Sequence, residues 1–152
     1  MNAVYWILPG LLAGRPGPAK APWTLPELWD GGFRAIVSLV EVDGAAIAAA
    51  GFHHYQDSLP GQLAFIPPLR RRLARRMLPA LDFIAAQVSA GRPTLVHCRQ
   101  GQDRTGAVLA AYLARCHGLP PAEAVCRVRA ANPRAMISAG FDRLPELCVG
   151  QR

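Results

Sequence analysis

Short apolar runs alternate along the chain with longer stretches in which apolar residues recur every three or four positions. Two runs at 4–8 and 11–13, parted by Pro9 and Gly10, predict a pair of short strands. A connection rich in proline and glycine, GRPGPAKAP, leads to Thr24. There TLPE places Glu27 three residues after a capping threonine and predicts a helix that Gly31 and Gly32 end. FRAIVSLV at 33–40 is a β-rich apolar run and predicts a buried strand. AAIAAAG follows as a short helix with its stop, and another strand is expected near 52–55.

The longest helical pattern lies at 69–90, where Leu69, Leu73, Met77, Leu81, Ile84 and Val88 define a core face. Pro79 is expected to kink or split it, and Gly91 to close it. TLVH at 94–97 predicts a short central parallel strand. Helices are expected over 104–117, within 118–133 (Pro121 near the start, Asn132 and Pro133 at the end) and over 138–149. Strands alternating with helices predict one α/β domain across 1–152, with a mainly parallel central sheet flanked by helices.

Composition narrows the classes. The chain has 152 residues, half of them apolar and 18% charged, which suits a globular core and not a disordered segment. A formal charge of +7 favours anionic partners: phosphate esters, nucleic acid or an acidic lipid surface. The cysteines are Cys98, Cys116, Cys126 and Cys148, with no C-x-x-C pair, so neither a zinc knuckle nor a disulfide framework is indicated. A reducing, cytoplasmic setting is expected. The opening MNAVYWILPGLLAG reads as strand and turn rather than a signal peptide, and no apolar run approaches the length of a membrane span.

The chemistry concentrates between the strand TLVH and the next helix, in HCRQGQDRTG. Ligands of such sheets bind beyond the carboxyl ends of strands, against helix N-termini. Loop N–H groups and those of the first helical turn can converge on one oxyanion, and Gly101 allows a tight bend. Arg104 can present a bidentate fork to two phosphate oxygens. The same positive field would favour the thiolate of Cys98 and make it a nucleophile.

His, Cys, five residues, Arg, then Thr: this order resembles the signature loop of the cysteine-dependent protein phosphatases, in particular their small dual-specificity branch. YWILPGLLAGRP, AIVSLVE and GRPTLVHC resemble that branch as well, so the similarity runs over about residues 4 to 148. The resemblance implies that Cys98 attacks phosphorus and forms a phosphocysteine, and that Arg104 holds the phosphoryl oxygens. It implies that Thr105 donates its hydroxyl to the departing sulfur and that His97 supports the cysteine without reacting. The backbone amides of Arg99, Gln100, Gly101, Gln102, Asp103 and Arg104 would complete the cradle, with no metal and no cofactor. Rhodanese-like sulfur carriers also close a cysteine loop with arginine, but one residue earlier; Arg104 stands six positions after Cys98 and favours phosphate.

The family supplies a proton to the leaving group from an upstream aspartate. Asp82 falls on a solvated helix face and Asp43 in an ordinary turn, EVDG. Asp57 in HHYQDSLPGQ, after a strand and before a Pro-Gly turn, resembles the family's mobile acid loop, and the resemblance implies it as the acid. Asp57 lies 41 residues before Cys98, farther than in small members of the branch, so GQLAFIPPLRR would form a longer lid or an added helix turn. Asp103 is a further option, since its DRT ending resembles that of some phosphoinositide phosphatases, which implies loop shaping or a part in proton transfer. The preferred expectation is that it steadies the loop as a charge at a helix N-terminus. No glutamine stands in NPRAMISAGFDRLPE, where the family often places one to position water, which leaves Gln100 and Gln102 for that role.

Around the loop, Arg70, Arg71, Arg72, Arg75 and Arg76 form either a solvated helix face or a docking patch for an acidic lipid surface. His53 and His54 are expected as strand residues, and Trp6, Trp23 and Trp29 in core or lid packing. The expected partner is a phosphorylated protein or another phosphate monoester, such as a phosphoinositide, met by a monomer. Nucleic acid is not expected, because aromatics do not interleave the basic run. The rival reading is a catalytically weak phosphate-binding module that docks on phosphoproteins or acidic lipids.

Overall fold

A computed structural model of the chain describes residues 2–150. Five strands form one sheet in the order β1-β2-β5-β3-β4: β1 (Tyr5–Leu8), β2 (Leu12–Arg15), β3 (Ala35–Ser38), β4 (His53–Gln56) and β5 (Thr94–His97). Only β1 runs antiparallel, joined to β2 by the Pro9-Gly10 turn; the other four are parallel. β2, β3 and β5 are buried at every position, as expected of strands covered on both faces. β4 is an edge strand with His53 and Gln56 exposed.

Alternation along the central strands divides the core in two. Ala13, Ile36 and Leu95 face a smaller layer with Leu28 of α1 (Leu25–Asp30) and Ile47 of α2 (Gly44–Ala49). Leu12, Val37 and Val96 face a larger layer built by α3 (Pro67–Ser89), α4 (Asp103–Cys116), α5 (Pro121–Ala131) and α6 (Leu144–Val149). α4 is buried from Thr105 to Ala114 and forms the centre of that layer. Its alanines and Gly106 let neighbouring helices approach all round it.

Thr24 and Glu27 form both halves of the capping box on α1. Asp43 caps α2 by accepting from the Ala46 amide. Two expectations are corrected. α3 is not split at Pro79; it runs unbroken for 23 residues. Pro79 and Arg75, whose carbonyl loses its partner there, both lie on the exposed face, where the oxygen is open to solvent, while Met77, Ala80 and Leu81 hold the helix to the core. The last helix does not span 138–149 either. Gly140 takes a left-handed φ of 94°, a 3-10 turn follows at Phe141–Arg143, and α6 begins only at Leu144. Trp6 and Trp29 lie on the surface rather than in the core, stacked on Phe33 and edge-on to Phe52 respectively.

Candidate active site

The β5–α4 junction places His97, Cys98, Arg104 and Thr105 within nine residues at the carboxyl edge of the central strand. Cys98 is buried and, with Gly17, Pro18, Val40, Glu41 and Arg99, lines a cleft of about 200 Å³. Among the described residues, no backbone carbonyl or side chain accepts from the amides of Arg99, Gln100, Gly101 or Gln102. Such a run of unmatched donors at a helix N-terminus suits an anion.

Long-range contacts hold the loop's shape. Gly101 has a left-handed φ of 73°, and a Cβ there would strike the backbone of Arg15 and Pro16. The Tyr5 hydroxyl donates to the Gly101 carbonyl at 2.6 Å, and burial pushes that phenol well above its usual range. Met136 N–H donates to the Gln102 carbonyl and Gly17 N–H to that of Arg99. Gly17 sits so close to the Cys98 carbonyl that any Cβ would collide with it.

His97 is fully buried, edge-on to Trp23, and both ring nitrogens are engaged: Nδ1 with the Cys98 carbonyl at 3.2 Å, Nε2 with Ser38 Oγ at 2.6 Å. Burial above all pushes it down to about 4, so it is neutral near pH 7. Thr105 is fully buried and its hydroxyl has no partner among the described residues. An unpaired buried hydroxyl costs about 1–3 kcal/mol and calls for a reason; sulfur or a bound oxyanion at the adjacent loop would supply one.

Arg104 Nη1 donates to the Leu59 carbonyl at 3.1 Å, and its guanidinium packs against Gly61. The segment that carries Asp57 is thereby tied to the first turn of α4. The Asp57 carboxylate itself faces Arg76, at 2.8 Å. The acidic residue lining the cleft with Cys98 is Glu41, which sequence reasoning passed over. Asp103 accepts from the Ser138 amide at 3.0 Å and so steadies the loop from outside. Gln100 and Gln102 line a separate pocket of about 310 Å³ with Tyr5 and Asn132, and are absent from the lining of the Cys98 cleft. Asp82 is exposed on α3. His53 and His54 lie on β4, and no group of three or more metal-ligating side chains occurs among the described residues. All four cysteines are free.

Residues 13–118 match the family described as "Tc-R-P: Polymorphic toxin system, DSP-PTPase phosphatase". The chain belongs to this family of DSP-PTPase phosphatases. Human "Dual specificity phosphatase 28" is 39% identical over 69 residues, 45% of this chain and 39% of that protein. The chain thus spans well under half the length of that relative. Among solved structures, "Crystal structure of Tk-PTP in the active form" superposes with a TM-score of 0.81 at 24% identity, covering 99% of both chains. "Crystal Structure of PTPMT1 in complex with PI(5)P" superposes with a TM-score of 0.78 at 17% identity, covering 97% of this chain and 95% of that one. These two likenesses show that the DSP-PTPase phosphatase shares their fold. No helix among its described residues is long and apolar enough to cross a membrane.

Proposed function

We propose that the chain hydrolyses phosphate monoesters in two steps at Cys98. The thiolate attacks phosphorus, an S–P bond forms, the P–O ester bond breaks, and the departing oxygen takes a proton from Asp57. Water then attacks phosphorus and gives a proton to the Asp57 carboxylate, the S–P bond breaks, the Thr105 hydroxyl donates a hydrogen bond to the sulfur as it leaves as thiolate, and inorganic phosphate departs. Arg104 and the amides of residues 99–104 bear the equatorial charge, which strengthens this stabilisation where it is needed. The supporting observation is the loop itself: four acceptor-less amides between a buried cysteine and the helix-opening arginine. The substrate is a phosphoprotein or a phosphoinositide; the fold shared with a protein solved in complex with PI(5)P supports including the lipid.

Phosphate release from p-nitrophenyl phosphate is expected to be blocked by vanadate and to be indifferent to EDTA. The Asp57–Arg76 pair is partly solvent-exposed, so parting it costs roughly 1 kcal/mol or less. Asp57→Asn is expected to lower kcat on an alkyl phosphate about 100-fold and to change turnover of the nitrophenyl ester much less, since nitrophenoxide needs no proton. Equal turnover of the alkyl ester would move the acid role to Glu41. The engagement of Asp57 by Arg76 favours one second reading, a phosphate-binding module that turns over little. Tight phospholigand binding without phosphate release by the unaltered protein would establish it.

The arginine run supports docking on an acidic lipid surface. Arg71, Arg72 and Arg75 are exposed, as are Leu63 and Phe65, and Leu63 shares a groove with Arg72. That apolar groove, of about 280 Å³, is lined also by Leu69 and Leu73 and rimmed by Arg72 and Arg76. The protein is expected to sediment with phosphatidylglycerol vesicles and not with phosphatidylcholine ones. Arg71→Glu with Arg75→Glu should abolish that; unchanged sedimentation would remove the patch from consideration.

A further inference from the structure

His97 and the Cys98 carbonyl are the near end of a longer chain of hydrogen bonds. Ser38 Oγ, fully buried on β3, lies 2.6 Å from His97 Nε2 and 2.9 Å from Nε2 of His54 on β4. The register allows this, since Ser38 stands opposite His97 in the parallel pairing of β3 with β5, and β4 is the next strand outward. Proton bookkeeping then leaves one arrangement. A carbonyl only accepts, so His97 Nδ1 carries hydrogen. Neutral His97 therefore has a bare Nε2, which must accept from the Ser38 hydroxyl. That hydroxyl has a single hydrogen, so its oxygen is left to accept, and His54 must donate from Nε2. The donors run one way, from β4 through β3 to β5, and bonds so aligned polarise one another.

The far end of this chain matters because a peptide unit is planar. The carbonyl of Cys98 and the N–H of Arg99 belong to one peptide and point in opposite directions. An imidazole N–H fastened to the oxygen therefore fixes the aim of the first amide of the loop. We propose that Ser38 and His54 are positioning residues for the reaction above: through a one-way relay they hold His97 in its Nδ1–H tautomer and so aim the Arg99 amide at the bound phosphoryl group. Burial supports the relay, because it holds His97 neutral and disfavours the charged form of His54. His97, with both nitrogens committed, is then not free to act as a base toward Cys98.

The tautomers are read on the unaltered protein by long-range nitrogen–proton correlation of 15N-histidine near pH 7.5, with the four histidines assigned by single substitution. His97 is expected as the Nδ1–H form and His54 as the Nε2–H form. His97 as the Nε2–H form or as an imidazolium, or His54 as the Nδ1–H form or averaging over both, overturns the relay. Ser38→Ala should slow alkylation of Cys98 by iodoacetamide, followed site by site by mass spectrometry, and lower kcat by roughly 5- to 10-fold, with KM little changed. His54→Gln, which can offer an amide N–H in place of the ring, should retain more of both rates than His54→Phe. A wild-type alkylation rate in Ser38→Ala, or equal losses in the two His54 variants, overturns it too. This inference rests on the proposed reaction, but tautomers and alkylation need no substrate, so its failure is distinguishable from an absence of phosphatase turnover.

Discussion

Cys98→Ser is expected to release no measurable phosphate, a loss of roughly 1000-fold or more, while the protein keeps its fold. An alcohol replaces a thiol of nearly the same shape at a buried position, so the packing around it hardly changes. What changes is acidity. A hydroxyl becomes a nucleophile only when a neighbouring base takes its proton. The one imidazole at the site has both nitrogens committed, Nδ1 to the Cys98 carbonyl and Nε2 to Ser38. On the proposed route activation comes from the loop amides and Arg104, and an alcohol, intrinsically far less acidic than a thiol, gains too little from them to act as the nucleophile. Phosphate release from an aryl ester, beside thermal unfolding of the same preparations, checks both halves. A serine variant with a tenth of the normal rate would sink the phosphocysteine route.

The second large effect is on stability in mild acid. His97 is held down to about 4 against an ordinary 6.5. Between those values the unfolded chain binds a proton that the folded chain refuses, so stability falls as pH drops from 6.5 towards 4 and is unaffected by this group above 6.5. The full span amounts to about 3 kcal/mol, a large share of a typical domain's stability. His54, also pushed down by burial, adds in the same direction. Urea unfolding at pH 7, 6, 5 and 4.5 should show a falling midpoint. His97→Asn should flatten most of that fall, because asparagine can donate to the Cys98 carbonyl and accept from Ser38 without titrating. An equally steep fall in the variant would place the acid sensitivity elsewhere.

Much of the frame was legible without coordinates. The short apolar runs at β3 and β5, the TLPE cap of α1 and the apolar stripe of α3 are local signals, carried by residues within a few positions of one another. Pro79 misled for a local reason too: the rule that proline breaks helices does not weigh a long buried face against one lost hydrogen bond at the surface. The end of the chain misled because Gly140 lies against the Ala64 backbone, a contact that fixes its left-handed turn and that no window of sequence contains.

The signature loop divides in the same way. The identity of Cys98, Arg104 and Thr105 and the reach of the loop between them are properties of one short segment, and the sequence alone determined them. Tertiary structure decided what fastens that segment: Tyr5 on Gly101, Gly17 under the Cys98 carbonyl, and Ser38 between His54 and His97. It also decided that Asp57 meets Arg76 while Glu41 lines the cleft. A backbone conformation and an apolar stripe are specified by near neighbours along the chain. Hydrogen-bond partners 16 to 96 residues apart are specified only once strands lie side by side, because register, not spacing, brings them within 3 Å.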